Sequence, residues 1–241
     1  TGLFFLFEPE LGTGFYYLYS IIITMKTIRL LPVLFIFLQG KNALAQKSIA
    51  EATITYNTSI NTGSSNTHID GATTIVYIKG KNIRTEMTSS LGTEITIFNS
   101  KTDNAVILKE FSGQKLMITL TKENWKTKNK MYSDIKFELT DDYKKIEGYN
   151  TRKAIAKMAD GKTFVVYYTP DIIPANRDYD ATFNNLPGLA VQYQIESGKM
   201  SFKYTLAKIN YDPVPVSKFD FPTTGYRIMT YDENQRLKKG N

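Results

Sequence analysis

The chain reads as all-β with minor α: one large, curled antiparallel sheet or half-barrel, carrying a few short helices or a loop lid. Three observations predict it. No proline falls between Gln46 and Thr169, which leaves that stretch open to uninterrupted hydrogen-bonded ladders. Within it, β-branched and aromatic residues alternate with polar ones, and turn residues recur about every ten positions. No window of about 11 residues carries an apolar stripe of helical period.

Taken in order, ATITYNTSI (52–60) sets Ala52, Ile54 and Tyr56 against Thr53, Thr55 and Asn57. TTIVYIKGKNIRTEM (73–87) reads as strand, turn at Gly80, strand. TEITIFNSKTDNAVILKEF (93–111) is a second pair, and KLMITL (115–120) follows Ser112-Gly113. Short helical pieces fit 121–131 and 140–145, the latter capped by Asp141 and Asp142. KAIAKMADGKTFVVYYT (153–169) folds back at Asp160-Gly161, a two-residue turn signal. That turn puts Ala154, Ala156 and Met158 on one face with Val165 and Tyr167. LAVQYQIESGKMSFKYTLAKINY (189–211) turns at Ser197-Gly198; Leu189, Val191, Tyr193 and Ile195 share a face with Phe202, Tyr204 and Leu206. Strand after strand through local turns is an antiparallel meander. A sheet of about eight or more twisted strands must curl, split or close.

Before Gln46 the pattern changes. Met25–Arg29 carries Lys26 and Arg29, Leu30–Leu38 is apolar, and Ala43-Leu44-Ala45 is an A-x-A ending. These are the parts of a secretory signal peptide over 25–45, cleaved after Ala45. A membrane span over 15–38 would bury Lys26 and Arg29 near its middle, at about 2.5–3.5 kcal/mol each. Residues 1–24 show no cap or turn logic and read as an upstream extension outside the natural product. The organisation is therefore 1–24 extension, 25–45 signal peptide and 46–241 one β-rich domain, periplasmic or secreted and not integral to the membrane once processed.

Composition excludes several function classes. The chain of 241 residues has no cysteine, one histidine and a net charge of +7. There is no disulfide framework, thiolate metal site, Cys nucleophile or lipid-modified N-terminal Cys. Residues 1–45 hold three cations and two carboxylates, leaving +6 for the rest. The densest basic cluster, KENWKTKNK (122–130), surrounds Trp125 and reads as a solvated loop or short helix; no nucleic-acid partner is expected. His68, in SSNTHIDG, reads as a solvated loop histidine, not a member of a triad. Asp178 and Asp180 lack the Gly and Glu of a calcium loop and read as loop surface. No catalytic residue, metal ligand or cofactor is expected.

FNNLPGLAVQY (183–193) is the most distinctive stretch. Pro187-Gly188 signals a type II turn, with Gly188 at the φ > 0 position, delivering Leu189 into a strand. IEGYNTRKA (146–154), VVYYTPDIIP (165–174), NNLPGLAVQY (184–193) and FDFPTTGY (219–226) resemble, in that order and spacing, the GLPGLI family. They resemble still more closely its sister domain of unknown function among exported bacterial proteins. Asn185 stands for the family's first Gly, Ala190 for its final Ile, and Asn150 where a Cys often follows Gly-Tyr. The resemblance covers about 131–230 and implies a fold of the outer-membrane lipoprotein-carrier (LolA-like) superfamily: a curled sheet with an apolar concave face. It implies no activity.

Two functions follow. The first is a non-enzymatic binding or carrier protein whose groove takes a lipid or another apolar ligand. Residues 170–188 would lie across the concave face as a lid, and Tyr179, Phe183, Leu186, Leu189, Val191 and Tyr193 would line the ligand site. The second is an envelope structural or protein-interaction module without a small ligand, whose sheet edges or Pro-rich strap (213–222) dock an envelope protein. An open cleft of several hundred Å3 separates the first from the second. Processing can be checked directly: expressed in a bacterial host, the exported protein should have an intact mass beginning at Gln46. A membrane-bound product retaining 1–45 would refute the signal peptide.

Overall fold

Among the described residues, twelve strands share one open sheet. The computed structural model describes residues 46–63 and 68–239; the predicted extension and signal peptide lie outside the described residues. The strands are β1 (Lys47–Ile49), β2 (Glu51–Asn61), β3 (His68–Lys79), β4 (Asn82–Ser89), β5 (Gly92–Asn99), β6 (Asn104–Phe111), β7 (Gln114–Leu120), β8 (Lys136–Ile146), β9 (Tyr149–Lys157), β10 (Thr163–Thr169), β11 (Ile172–Pro174), β12 (Leu189–Ser197), β13 (Met200–Asn210) and β14 (Arg227–Thr230). Helix α1 (Lys122–Asn129) follows β7, and α2 (Tyr231–Lys239) follows β14. The sheet runs β14-β7-β6-β5-β4-β3-β2-β13-β12-β10-β9-β8. It is antiparallel except at β14, which joins β7 in parallel. The expected all-β class, with one large curled antiparallel sheet and few helices, is what the chain adopts.

Curling has visible devices. Register shifts interrupt the ladders β2–β3, β2–β13, β10–β12 and β8–β9. Such bulges bend a strand and increase its twist. On the inner face Ala52, Ile54 and Tyr56 of β2 meet Val76 and Ile78 of β3, Leu206 of β13, and Val191 and Tyr193 of β12 in one buried core. Strands β5–β7 are buried on both faces. Phe98, Ile107, Ile118 and Leu120 point inward, whereas Ile95, Ile97, Leu108 and Met117 form a second cluster outside. The C-terminal strap covers that outer cluster with Phe219 and Tyr226. Three bonds hold the strap down: Val214 N–H to Glu51 Oε1 at 2.7 Å, Arg84 Nη1 to the Lys218 carbonyl at 3.2 Å, and the Tyr226 hydroxyl to Glu110.

Several local expectations change. The 153–169 hairpin pairs Ala154 with Val166 and Ala156 with Phe164. Met158 N–H bonds the Lys162 carbonyl at 2.9 Å, so three residues, not two, form the loop, with Gly161 at φ +84. That is the three-residue loop with glycine in the left-handed position. One extra loop residue shifts the register by one and reverses the face of β10: Val166 and Tyr168 are buried and Val165 is 41% exposed. The other hairpin turns at Gly198-Lys199, one residue later than expected, since Ser197 pairs with Met200. This moves the register by two, so Tyr193 still faces Tyr204 and Ile195 still faces Phe202.

Residues 140–145 are strand, not helix. Two extra residues of β8 bulge between Leu139 and Tyr143. Thr140 Oγ1 donates to the Lys153 carbonyl at 3.1 Å, and Arg152 Nε donates to the Thr140 carbonyl at 2.7 Å. Strand pairing with β9 thus takes the place of the helical turn that Asp141 and Asp142 were expected to cap, and Asp141 instead meets Arg152 at 3.2 Å. His68 opens β3 opposite Asn61 instead of sitting in the loop. Gly188 does not adopt a positive φ. Its constraint is steric: a Cβ there would collide with the Thr169 carbonyl oxygen and lie 2.8 Å from Tyr168 Cδ2, because β12 starts at once against the end of β10.

The β10 register has a simple test. Val165→Lys should shift stability by no more than about 0.5 kcal/mol. Val166→Lys should cost more than about 4 kcal/mol, because it buries an unpaired ammonium. Urea unfolding of the two variants measures both, and the opposite order would restore the two-residue turn.

Candidate functional site

The segment 170–188 crosses the concave face, as the sequence suggested, and it is tightly fastened. Strand β11 pairs in parallel with β1, with Lys47 N–H on the Asp171 carbonyl and Ala175 N–H on the Ile49 carbonyl, both at 2.8 Å. Buried Asn176 donates to the Gly80 carbonyl at 2.9 Å and to Ser100 Oγ at 3.1 Å, and Arg177 Nη1 donates to the Leu186 carbonyl at 2.8 Å. Phe183 and Leu186 are 1% and 0% exposed. At its own corner the segment is therefore a plug.

The plug leaves space beside it. A cavity of about 590 Å3 lies over the inner face of β2–β6 and β12–β13. Its aromatic wall is Tyr56, Tyr193 and Tyr204. Tyr193 and Tyr204 stack at 4.7 Å, and Tyr56 meets them edge-on at 6.1 and 6.5 Å. Phe183 of the plug packs edge-on against Tyr193 at 4.6 Å. Aliphatic and aromatic residues, among them Met87, Leu91, Phe111 and Phe202, extend the lining toward the strand ends.

Polar groups enter from three directions. From the sheet, Lys109 and Glu94 form an ion pair at 2.5 Å. From the plug come Tyr179, Asp180 and Thr182; from the helices come Lys128 of α1 and Lys238 of α2. Helix α1 is set in place by a reciprocal cap between Thr121 and Asn124 and by Trp125, which stacks on Phe98 at 4.3 Å. The basic cluster that looked like solvated surface thus closes one end of the concave face, and Asn124 Nδ2 ties it to Asp232 of α2 at 3.2 Å.

Burial pushes the phenols of Tyr56, Tyr179, Tyr193 and Tyr204 upward. They remain neutral hydroxyls, able to donate and accept but not to act as bases near neutral pH. Burial also raises the Asp180 carboxyl, whose Oδ1 accepts the Thr182 N–H at 2.8 Å, and lowers the Lys128 ammonium. Tyr56 donates to the Ala190 carbonyl at 2.9 Å. The Tyr179 hydroxyl lies near the Ala190 backbone, is buried, and meets no partner in hydrogen-bond geometry among the described residues.

A second hollow, of about 530 Å3, lies on the other side of residues 178–184, lined by Trp125, Asp178, Ala181 and Asn184 among others. The side-chain amide oxygen of Asn184, Oδ1, is buried without a hydrogen-bond partner among the described residues. Among the described residues no group of three His, Asp or Glu could hold a metal. No described helix is long and apolar enough to cross a membrane.

Of the six residues predicted to line a ligand site, Tyr179 and Tyr193 do line the cavity. Phe183, Leu186, Leu189 and Val191 do not; they are packed in the main core. Asp180 corrects the loop-surface reading: it is half-buried and faces the cavity. Glu94 and Lys109 were not anticipated, since nothing local distinguishes them from other alternating polar positions; Lys128 was read only as part of the solvated cluster 122–130. Tyr56 and Tyr204 were legible as inward residues by alternation, though not as a wall.

No family model matches this chain, and no curated protein does. Among solved structures, PNGF-II aligns over 78% of this chain and 33% of its own, at 15% identity and a TM-score of 0.47. An uncharacterized conserved protein from Thermus thermophilus aligns over 74% and 90%, at 9% identity and 0.43. LprF from Mycobacterium bovis aligns over 69% and 88%, at 9% and 0.33. This chain spans about a third of the PNGF-II chain it matches.

An unpartnered buried hydroxyl costs about 1–3 kcal/mol. Tyr179→Phe should therefore raise the stability of the ligand-free protein by about 1 kcal/mol or more. Thermal and urea unfolding measure it; a loss of stability would mean that the hydroxyl already has a partner.

Proposed function

We propose that this chain is an exported, non-enzymatic binding or carrier protein, LolA-like in design, that holds a lipid-like ligand in the concave cavity. One observation carries the reading. The plug fills the Leu186–Leu189 corner completely, yet about 590 Å3 beside it is left unfilled, within the range of about 300–1,000 Å3 for small-molecule sites. A sheet that needed only a core would close that space with side chains. The ligand site is thus moved from the predicted corner to the tyrosine wall. We assign no catalytic step and no cofactor to it. The resemblance of about 131–230 to the GLPGLI family and its sister domain among exported bacterial proteins supports the compartment, periplasmic or secreted.

The second reading is an envelope interaction module with no small ligand. The filled corner favours it, and so do two apolar side chains left open on the strap, Val216 at 66% and Phe221 at 46% exposure. Protein purified from a bacterial periplasm decides between them. Native mass spectrometry and organic extraction should recover a bound amphiphile at near one equivalent, and added fatty acid or phospholipid should raise the melting temperature. Neither effect would appear for an interaction module.

A further inference from the structure

Among the described residues one hydroxyl of the cavity wall has no hydrogen-bond partner, and one ammonium has an aromatic ring beside it but no carboxylate within 4 Å; one kind of ligand suits both. Tyr179 is 4% exposed, and its hydroxyl meets no partner in hydrogen-bond geometry. The Lys128 ammonium is half-buried, stands 5.4 Å from the centre of the Trp125 ring, and forms no ion pair within 4 Å among the described residues. Both line the same cavity.

The sign of the missing charge follows from the groups that face this space. Lys109 is committed to Glu94. Lys128 and Lys238 stand in the same lining with Asp180, and Glu94 acts on Lys128 as well; three cations and two carboxylates leave a net charge of +1 that a single anion cancels. A cationic head would add to the two ammoniums. A neutral head would leave Lys128 unpaired in a half-buried site, which is unfavourable. An anionic oxygen can accept from the Lys128 ammonium, and a small turn of the Tyr179 side chain, whose hydroxyl is sealed in the ligand-free protein, would let it donate to the same head. Beyond them the wall turns apolar along Met87, Leu91, Phe111 and Phe202, and Leu91 and Phe111 are 46% and 37% exposed. A hydrocarbon tail would cover them.

We infer that the cavity selects amphiphiles with one monoanionic head, a long-chain carboxylate being the simplest, held by Lys128 and Tyr179 with the tail on the Met87–Phe202 wall. This rests on the binding reading above. It goes further by naming the head-group charge and the two residues that read it.

The test compares three C16 probes below their micelle concentrations, palmitate, hexadecanol and hexadecylamine, by titration calorimetry with the purified protein. Palmitate should bind about tenfold or more tighter than hexadecanol, with hexadecylamine weakest. Lys128→Gln and Tyr179→Phe should each shrink the ratio of palmitate to hexadecanol affinity severalfold, and Lys128→Arg should restore what Lys128→Gln loses. Circular dichroism confirms that each variant is folded. Equal affinity for palmitate and hexadecanol in the unmodified protein overturns the head-group assignment and leaves the binding reading intact. So does a preference that survives both variants. Failure of all three probes to bind overturns the binding reading and the assignment with it.

Discussion

A twelve-stranded sheet cannot leave its inner face to water, and the segment 170–188 is the cover on which the rest of the structure depends. Without it, Tyr56, Leu189, Val191 and Tyr193 would lose the residues that bury them. Covering needs more than apolar side chains. A loop held under a sheet must satisfy its own backbone, and this one does so through β11 on β1, Asn176 on the β3–β4 turn, and Arg177 on its own return at Leu186. The first strand of the described domain is thereby spent on holding the plug, outside the main sheet.

The opposite face meets the same constraint by a different route. Strands β5–β7 carry apolar residues at inward and outward positions alike, so the outer cluster needs its own cover. The C-terminal strap supplies it, and β14 then closes the exposed edge of β7. From there α2 returns to the concave side, where Lys238 reaches the cavity. Cover and cavity rim are therefore built from one continuous stretch of chain. The free edge at β8 is blunted by its bulge and by Lys136, Lys144 and Lys145, common protections against edge pairing.

The cavity departs from economical packing. A buried hydroxyl without a partner and an unpaired half-buried ammonium both lower stability. An interior built for stability alone would place apolar groups there. Their presence in one space, beside a wall of neutral tyrosine hydroxyls, is the physical ground for reading that space as a site.

Read alone, the sequence determined the β class, the meander, the inward faces of β2, β12 and β13, and the exclusion of thiolate chemistry. Alternation and turn residues are local signals, and local signals suffice for these. It misplaced the face of β10 because Asp160-Gly161 serves two- and three-residue loops alike, and a single residue reverses a strand. It assigned a helix to 140–145 because the bonds that make a bulge there come from β9. For Gly188 it named the right residue for the wrong reason, since the approach of Thr169 is a contact between distant segments. Only the tertiary structure decided that Phe183 and Leu186 plug while Tyr179 and Asp180 line. Which side of an irregular segment meets space depends on what the neighbouring strands leave unfilled. Lys128 became part of a cavity wall for the same reason: Trp125 docks on Phe98, a contact between a helix and a strand 27 positions earlier in the chain.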